Sequence, residues 1–120
     1  MKGTAQARQD LEKLLSKLIA DYAPQQVILF GSHAYGEPDQ HSDLDLLIVK
    51  ETARTPFQRR VEVGRIVQDR SRRTPIQALV ITPKELEERT GKGDPFLLEV
   101  MEKGEVLYDA GRVRSAARLV

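Results

Sequence analysis

The chain contains no cysteine, which excludes a disulfide framework and a thiolate zinc site and agrees with a reducing compartment. No stretch approaches the ~20 consecutive apolar residues of a membrane span. The N-terminus, MKGTAQARQDLEK, carries no apolar core behind its basic residue, so no secretion signal is read there and the cytoplasm is the expected compartment. Charge of one sign is also lacking. Nineteen Lys and Arg face 18 Asp and Glu for a net charge of +1, so nucleic-acid binding has no global argument and would need a local patch. The sequence has no internal repeat and no low-complexity stretch. At 120 residues, 40% hydrophobic and 31% charged, it can bury one core and not two.

What is present is a regular alternation of apolar patterns. Leu11, Leu14, Leu15, Leu18, Ile19 and Tyr22 recur at helical spacing and predict an amphipathic helix from Gln6 to Tyr22, which Pro24 ends. Val27 to Phe30 is a short continuous apolar run suited to a strand buried on both faces, stopped by Gly31. A second strand is expected from Leu44 to Val49. Thr55-Pro56 reads as a helix N-cap and first-turn proline, with Phe57, Val61, Val63, Ile66 and Val67 on the apolar side of a helix running to about Ser71. Pro75 opens a third strand, Ile76 to Ile81. Thr82-Pro83-Lys84-Glu85 has the pattern of a capping box before a short helix to Arg89. After Asp94-Pro95, a helix is expected with Phe96, Leu97, Val100 and Met101 toward the core, stopped by Gly104, and Val106 to Tyr108 would be a last edge strand. This order describes an α/β or α+β domain with a small central sheet over residues 1–110. Residues 111–120 read as a tail, helical or disordered.

The chemistry concentrates in residues 31–47, GSHAYGEPDQHSDLDLL. Asp43 and Asp45 are two apart at the head of a strand, so their carboxylates project to one side while Leu44, Leu46 and Ile48 go to the other. Two like charges beside a hydrophobic sheet repel, and a hard divalent cation such as Mg²⁺ or Mn²⁺ relieves that repulsion through oxygen ligands. An isolated Asp-X-Asp is more often a polar start to a strand. Gly31-Ser32 changes the balance. A glycine straight after a buried strand allows the close backbone approach that phosphate oxygens need, and Ser32 offers a hydroxyl and an amide at the start of a helical turn to Tyr35. A Gly-Ser turn and an aspartate pair together suggest metal-dependent phosphoryl transfer. His33 and His41 lack the spacing of zinc ligands on a helix. An EF-hand around Asp43 and Asp45 fails because no further oxygen ligands follow into the apolar strand. The Arg59-Arg60 and Arg70-Ser71-Arg72-Arg73 clusters are read as solvated helix ends.

With Gly31, Ser32, Ala34, Gly36, Ser42, Asp43 and Asp45 in this order and spacing, the chain resembles the minimal nucleotidyltransferase domains of the DNA polymerase β superfamily. PIQALVITPKELEER and GDPFLLEVMEKGEVLYD extend the likeness, which covers about residues 5–108. The resemblance implies a small mixed central sheet flanked by helices, and transfer of a nucleoside monophosphate from an NTP, with ATP expected, to an acceptor hydroxyl. It implies Asp43 and Asp45 as catalytic metal ligands for Mg²⁺ or Mn²⁺, and Gly31, Ser32 and Ser42 as nucleotide-binding residues. The family's third carboxylate, on the next core strand, maps to Gln77. A glutamine carbonyl is a neutral, weaker ligand and cannot act as a base; Glu62 or Asp69 could supply the missing charge if the preceding helix faced the site, which nothing in the sequence requires. The alternative is therefore a catalytically weak or inactive binding module. The resemblance further suggests the antitoxin half of a toxin-antitoxin pair, with a helical HEPN-type RNase as partner and acceptor, and allows a homo-oligomer.

Overall fold

The computed structural model describes residues 5–38, 42–69 and 74–111. Its first helix, α1 (Ala5–Tyr22), buries Ala7, Leu11, Leu14, Leu18 and Tyr22 along one stripe, as the spacing predicts. Ala23 closes α1 in the left-handed region, at φ 51°, and the Lys50 ammonium donates to the Tyr22 carbonyl at 2.6 Å, satisfying one of the carbonyls a helix end leaves open.

Four strands follow among the described residues: β1 (Gln26–Phe30), β2 (Leu44–Val49), β3 (Ile76–Ile81) and β4 (Glu105–Asp109). They form one mixed sheet in the order β3-β2-β1-β4. β1 is antiparallel to both its neighbours, whereas β2 and β3 are parallel. The parallel pair requires a crossover, and α3 (Pro56–Val67) supplies it. A four-residue helix, α2 (Ser32–Tyr35), links β1 toward β2, while α4 (Pro83–Gly91) and α5 (Pro95–Lys103) lie between β3 and β4.

The period-two alternation of the strands sorts the core onto two faces. Val27, Leu29, Leu44, Leu46 and Ile48 pack with α1 and Val63 of α3. Ile28, Leu47, Val49 and Ile81 pack with Leu97 and Val100 of α5. β1 and β2 are thus covered on both sides, which is why they read as continuous apolar runs. The second face is covered less completely: Leu79 remains 39% exposed on it. Asp45 and Gln77 share that face with Leu47 and Leu79, at its open end.

The predicted N-cap at Thr55 forms and is completed into a capping box by Gln58, and the predicted capping box at Thr82/Glu85 forms as well. Other details differ from the sequence reading. α3 stops at Val67, where Gln68 turns extended, rather than at Ser71, and α4 continues past Arg89 to Gly91. Phe57 is 68% exposed, since α3 buries only Arg59 and Val63. On α5 only Leu97 and Val100 reach the core, while Phe96 and Met101 stay substantially exposed; a helix of nine residues laid on a narrow sheet contacts it through a single i, i+3 pair. Arg59 is no solvated helix end. It is buried, donates through Nε to the Arg54 carbonyl at 2.9 Å and through Nη1 to Glu85 Oε1 at 2.8 Å, and so ties the starts of α3 and α4 together. The cluster at residues 70–73, His41 and the tail beyond Gly111 lie outside the described residues.

Candidate active site

The site assembles where β1 ends and β2 begins. Phe30, the last residue of β1, pairs with Asp45, so the turn that follows β1 rises directly beside that carboxylate. Gly31 has φ 76° and ψ −155°, a region essentially restricted to glycine. A Cβ at Gly31 would fall on Asp45 Oδ2. Glycine is thus needed twice, for the backbone angle and for the space the carboxylate occupies. The Gly31 carbonyl accepts from the amides of Ala34 and Tyr35, each at 3.0 Å, which starts α2 and leaves the amides of Ser32 and His33 outside the intrahelical ladder. Gly36 closes the turn by donating to the Ser32 carbonyl at 3.1 Å, and a Cβ there would meet Ser32 Cα at 2.7 Å. The turn is packed as tightly as backbone allows.

Asp43 and Asp45 converge on the same side of the sheet. Burial raises the pKa of Asp45 above the ordinary carboxylate value, the Asp43 charge raises it further, and His33 pulls in the opposite direction. The pair therefore carries mutual repulsion that a cation would relieve. Gln77 stands opposite Asp45 in the parallel register of β2 and β3, and its Nε2 donates to Asp43 Oδ2 at 3.2 Å. The residue mapped to the third carboxylate thus lies in the site, on the expected face. Glu62 and Asp69 do not replace it. α3 packs on the other face of the sheet; Glu62 lies 3.9 Å from Arg54 and its charge acts on the Tyr22 phenol. Asp69 lines a polar cavity with Asp10, Lys13 and Lys17 of α1.

Two features had no signal that the sequence reading used. His33 is buried inside the turn, with Nε2 3.1 Å from the Ser42 carbonyl; its place directly after Gly31-Ser32, in a helix wedged on the strand ends, was the available clue. Phe30 is in edge-to-face contact with Phe96, ring centroids 5.3 Å apart, so the start of α5 forms an aromatic wall on the β1 side of Asp45. Ser42 sits at the head of β2, one residue before Asp43.

The donor set suits a hard cation. Two carboxylates supply anionic oxygen, the third position supplies at most an amide oxygen, and no group of three or more acidic, histidine or cysteine side chains gathers among the described residues. A cation there would need further oxygens from its ligand. A separate, mostly apolar groove of about 620 Å³, lined by Val49, Leu86, Leu98 and Met101 among others, lies toward the other end of the sheet and contains none of these residues.

A model of the nucleotidyltransferase domain family matches residues 11–107. The chain belongs to the nucleotidyltransferase domain family. The crystal structure of "a putative nucleotidyltransferase from Sulfolobus solfataricus" is similar in fold, with a TM-score of 0.55, 19% sequence identity and 92% of each chain covered. No curated protein matches this chain. The matched region spans the Gly31 turn, the Asp43/Asp45 pair and Gln77. Among the described residues, no helix of this nucleotidyltransferase domain is long and apolar enough to cross a membrane.

Proposed function

We propose that this domain binds an NTP, with ATP expected, together with Mg²⁺ or Mn²⁺, and transfers its nucleoside monophosphate to a hydroxyl of a partner protein. The observation that carries the proposal is the adjacency of the glycine-only turn at Gly31 to the Asp45 carboxylate, which sets the backbone amides that open α2 beside a pair of metal-type ligands. In this reading Gly31, Ser32 and Ser42 hold the triphosphate, while Asp43 and Asp45 hold the cation. When bound, the cation neutralises charge that builds on the triphosphate oxygens. The chain's own groups fix the α-phosphorus in line with the acceptor. The acceptor oxygen bonds to that phosphorus, the bond to the β-phosphate bridging oxygen breaks, and pyrophosphate leaves. The acceptor's proton must go to a carboxylate or to solvent, because Gln77 has no basic group to receive it.

A macromolecular acceptor agrees with the openness of this face, where Leu79 and Phe96 are exposed around the site. The cytoplasm, where NTP and Mg²⁺ are both at hand, is the proposed location, and a helical HEPN-type RNase, for which this chain would act as antitoxin, is the proposed partner. A second reading is favoured by one observation. Gln77 donates its amide to Asp43 in place of an added negative charge, and a site with two carboxylates can hold metal and nucleotide while turning over slowly or not at all. The domain would then regulate its partner by docking. Co-expression with the product of the adjacent gene, followed by intact-mass measurement of that product, tests the transfer. A gain of one nucleoside monophosphate supports the enzyme. A tight complex that binds nucleotide and gains no mass supports the docking module.

A further inference from the structure

His33 is almost completely buried, and it joins the two halves of the site. It belongs to α2, the turn that begins at Gly31, yet its ring reaches the carbonyl of Ser42, the residue before Asp43. A carbonyl oxygen only accepts, so the proton of this hydrogen bond resides on Nε2. The other ring nitrogen, Nδ1, is buried with no hydrogen-bond partner among the described residues. A buried, half-satisfied imidazole costs stability, and an apolar ring would fill the same volume without that cost. The bond it makes is what distinguishes it from such a ring. It spans nine positions of sequence, from the turn to the head of β2.

We infer that His33 is a positioning residue which, by donating Nε2–H to the Ser42 carbonyl, holds Asp43 and Asp45 in register with the Gly31–Gly36 turn so that both can engage one metal-bound triphosphate. The inference rests on the nucleotide site proposed above and adds a residue that does not itself touch nucleotide or metal. It separates two contributions to affinity. The turn can bind phosphates without the aspartates, but the extra affinity that a divalent cation confers requires turn and aspartates to be aligned.

ATP is titrated calorimetrically into the full chain in Mg²⁺ and in EDTA, for wild type and for His33→Phe and His33→Gln. Phenylalanine keeps the ring and removes the donor. Glutamine places an amide N–H at about the reach of Nε2. Wild type binds more tightly in Mg²⁺. His33→Phe keeps its affinity in EDTA and loses roughly five- to tenfold of the affinity in Mg²⁺, the loss of one well-placed hydrogen bond, while His33→Gln recovers most of it. If His33→Phe does not fold, His33→Asn replaces it, since its amide is one methylene too short to reach Ser42, and the same loss is expected. A folded His33→Phe or His33→Asn with the full Mg²⁺ enhancement overturns the inference, as does a His33→Gln that recovers nothing. Wild type that shows no Mg²⁺ enhancement refutes the nucleotide-site reading itself, and the inference with it, before any His33 variant is compared.

Discussion

Replacing Asp45 with asparagine should make the ligand-free protein more stable. The two carboxylates lie two residues apart on one side of an extended chain, about 6.6 Å along the strand. Coulomb's law at that separation gives about 2.5 kcal/mol at an effective dielectric of ~20 and about 0.6 kcal/mol in water. Asp45 is only partly buried, so solvent screening favours the lower part of this range, about 1 kcal/mol. Asparagine keeps the volume and removes the repulsion, and a gain of about 1 kcal/mol should raise Tm by about 4 °C for a domain of this size. The pH dependence follows from the raised pKa of Asp45. Between the ordinary carboxylate value and that raised value the folded state binds more protons than the unfolded state, so this group lowers stability as pH rises through the window. The cost is fully present above the window and absent below it. Thermal unfolding followed by circular dichroism should therefore show Asp45→Asn more stable than wild type at neutral pH, with the advantage fading on acidification through the carboxylate range. Added Mg²⁺ and ATP should then stabilise wild type and leave Asp45→Asn nearly unchanged. A lower Tm for Asp45→Asn at neutral pH, or a gain that persists unchanged in acid, would mean that Asp43 and Asp45 do not repel each other in the folded protein.

Three further outcomes follow from the same geometry. Gly31→Ala should cost about 2 kcal/mol in chemical denaturation, because it forces a side chain into glycine-only backbone space, and should abolish Mg²⁺-dependent ATP binding because its Cβ displaces the Asp45 carboxylate. Gln77→Asp should lower Tm without metal, by adding a third negative charge beside Asp43, and tighten Mn²⁺ binding roughly tenfold in a calorimetric titration, the effect of adding a charged oxygen ligand. Glu85→Gln should cost about 2 kcal/mol at neutral pH by removing the charge that faces buried Arg59. Glu85 is held below its ordinary pKa chiefly by the Arg59 hydrogen bond, so its stabilisation is present above the unfolded value and lost as pH falls through the lowered one; the two proteins should converge in urea titrations at acidic pH.

The strands, the helix caps at Thr55 and Thr82 and the Gly31/Asp43/Asp45 constellation were legible because each leaves a local mark: a continuous apolar run, a Thr-Pro pair, or a glycine after a strand followed by two acids in alternation. The register of β2 and β3 was legible only through the family resemblance, which mapped Gln77 to the third ligand position; the observed Asp45–Gln77 pairing gives that mapping its geometry. What could not be read depends on which face each helix covers. α3 carries enough apolar residues to pack on either side of the sheet, and only the structure shows that Glu62 faces away from the aspartates. Arg59 looks like any helix-surface arginine until α4 brings Glu85 to it. His33 was weighed for metal spacing, a pattern along the chain, whereas its role is set by the distance to Ser42 across a turn.

The proposed site places one metal-bound nucleotide between the Gly31 turn and the Asp43/Asp45 pair. Titration of Mn²⁺ and ATP into ¹⁵N-labelled protein, followed by amide NMR spectra, tests it most directly, because the paramagnetic ion broadens only nearby resonances. The amides of Gly31, Ser32, Gly36, Asp43, Leu44, Asp45 and Gln77 should broaden first, and those of Leu86, Leu98 and Met101, around the apolar groove, should persist. Early broadening around that groove, with the Gly31 turn and the aspartates unaffected, would contradict it.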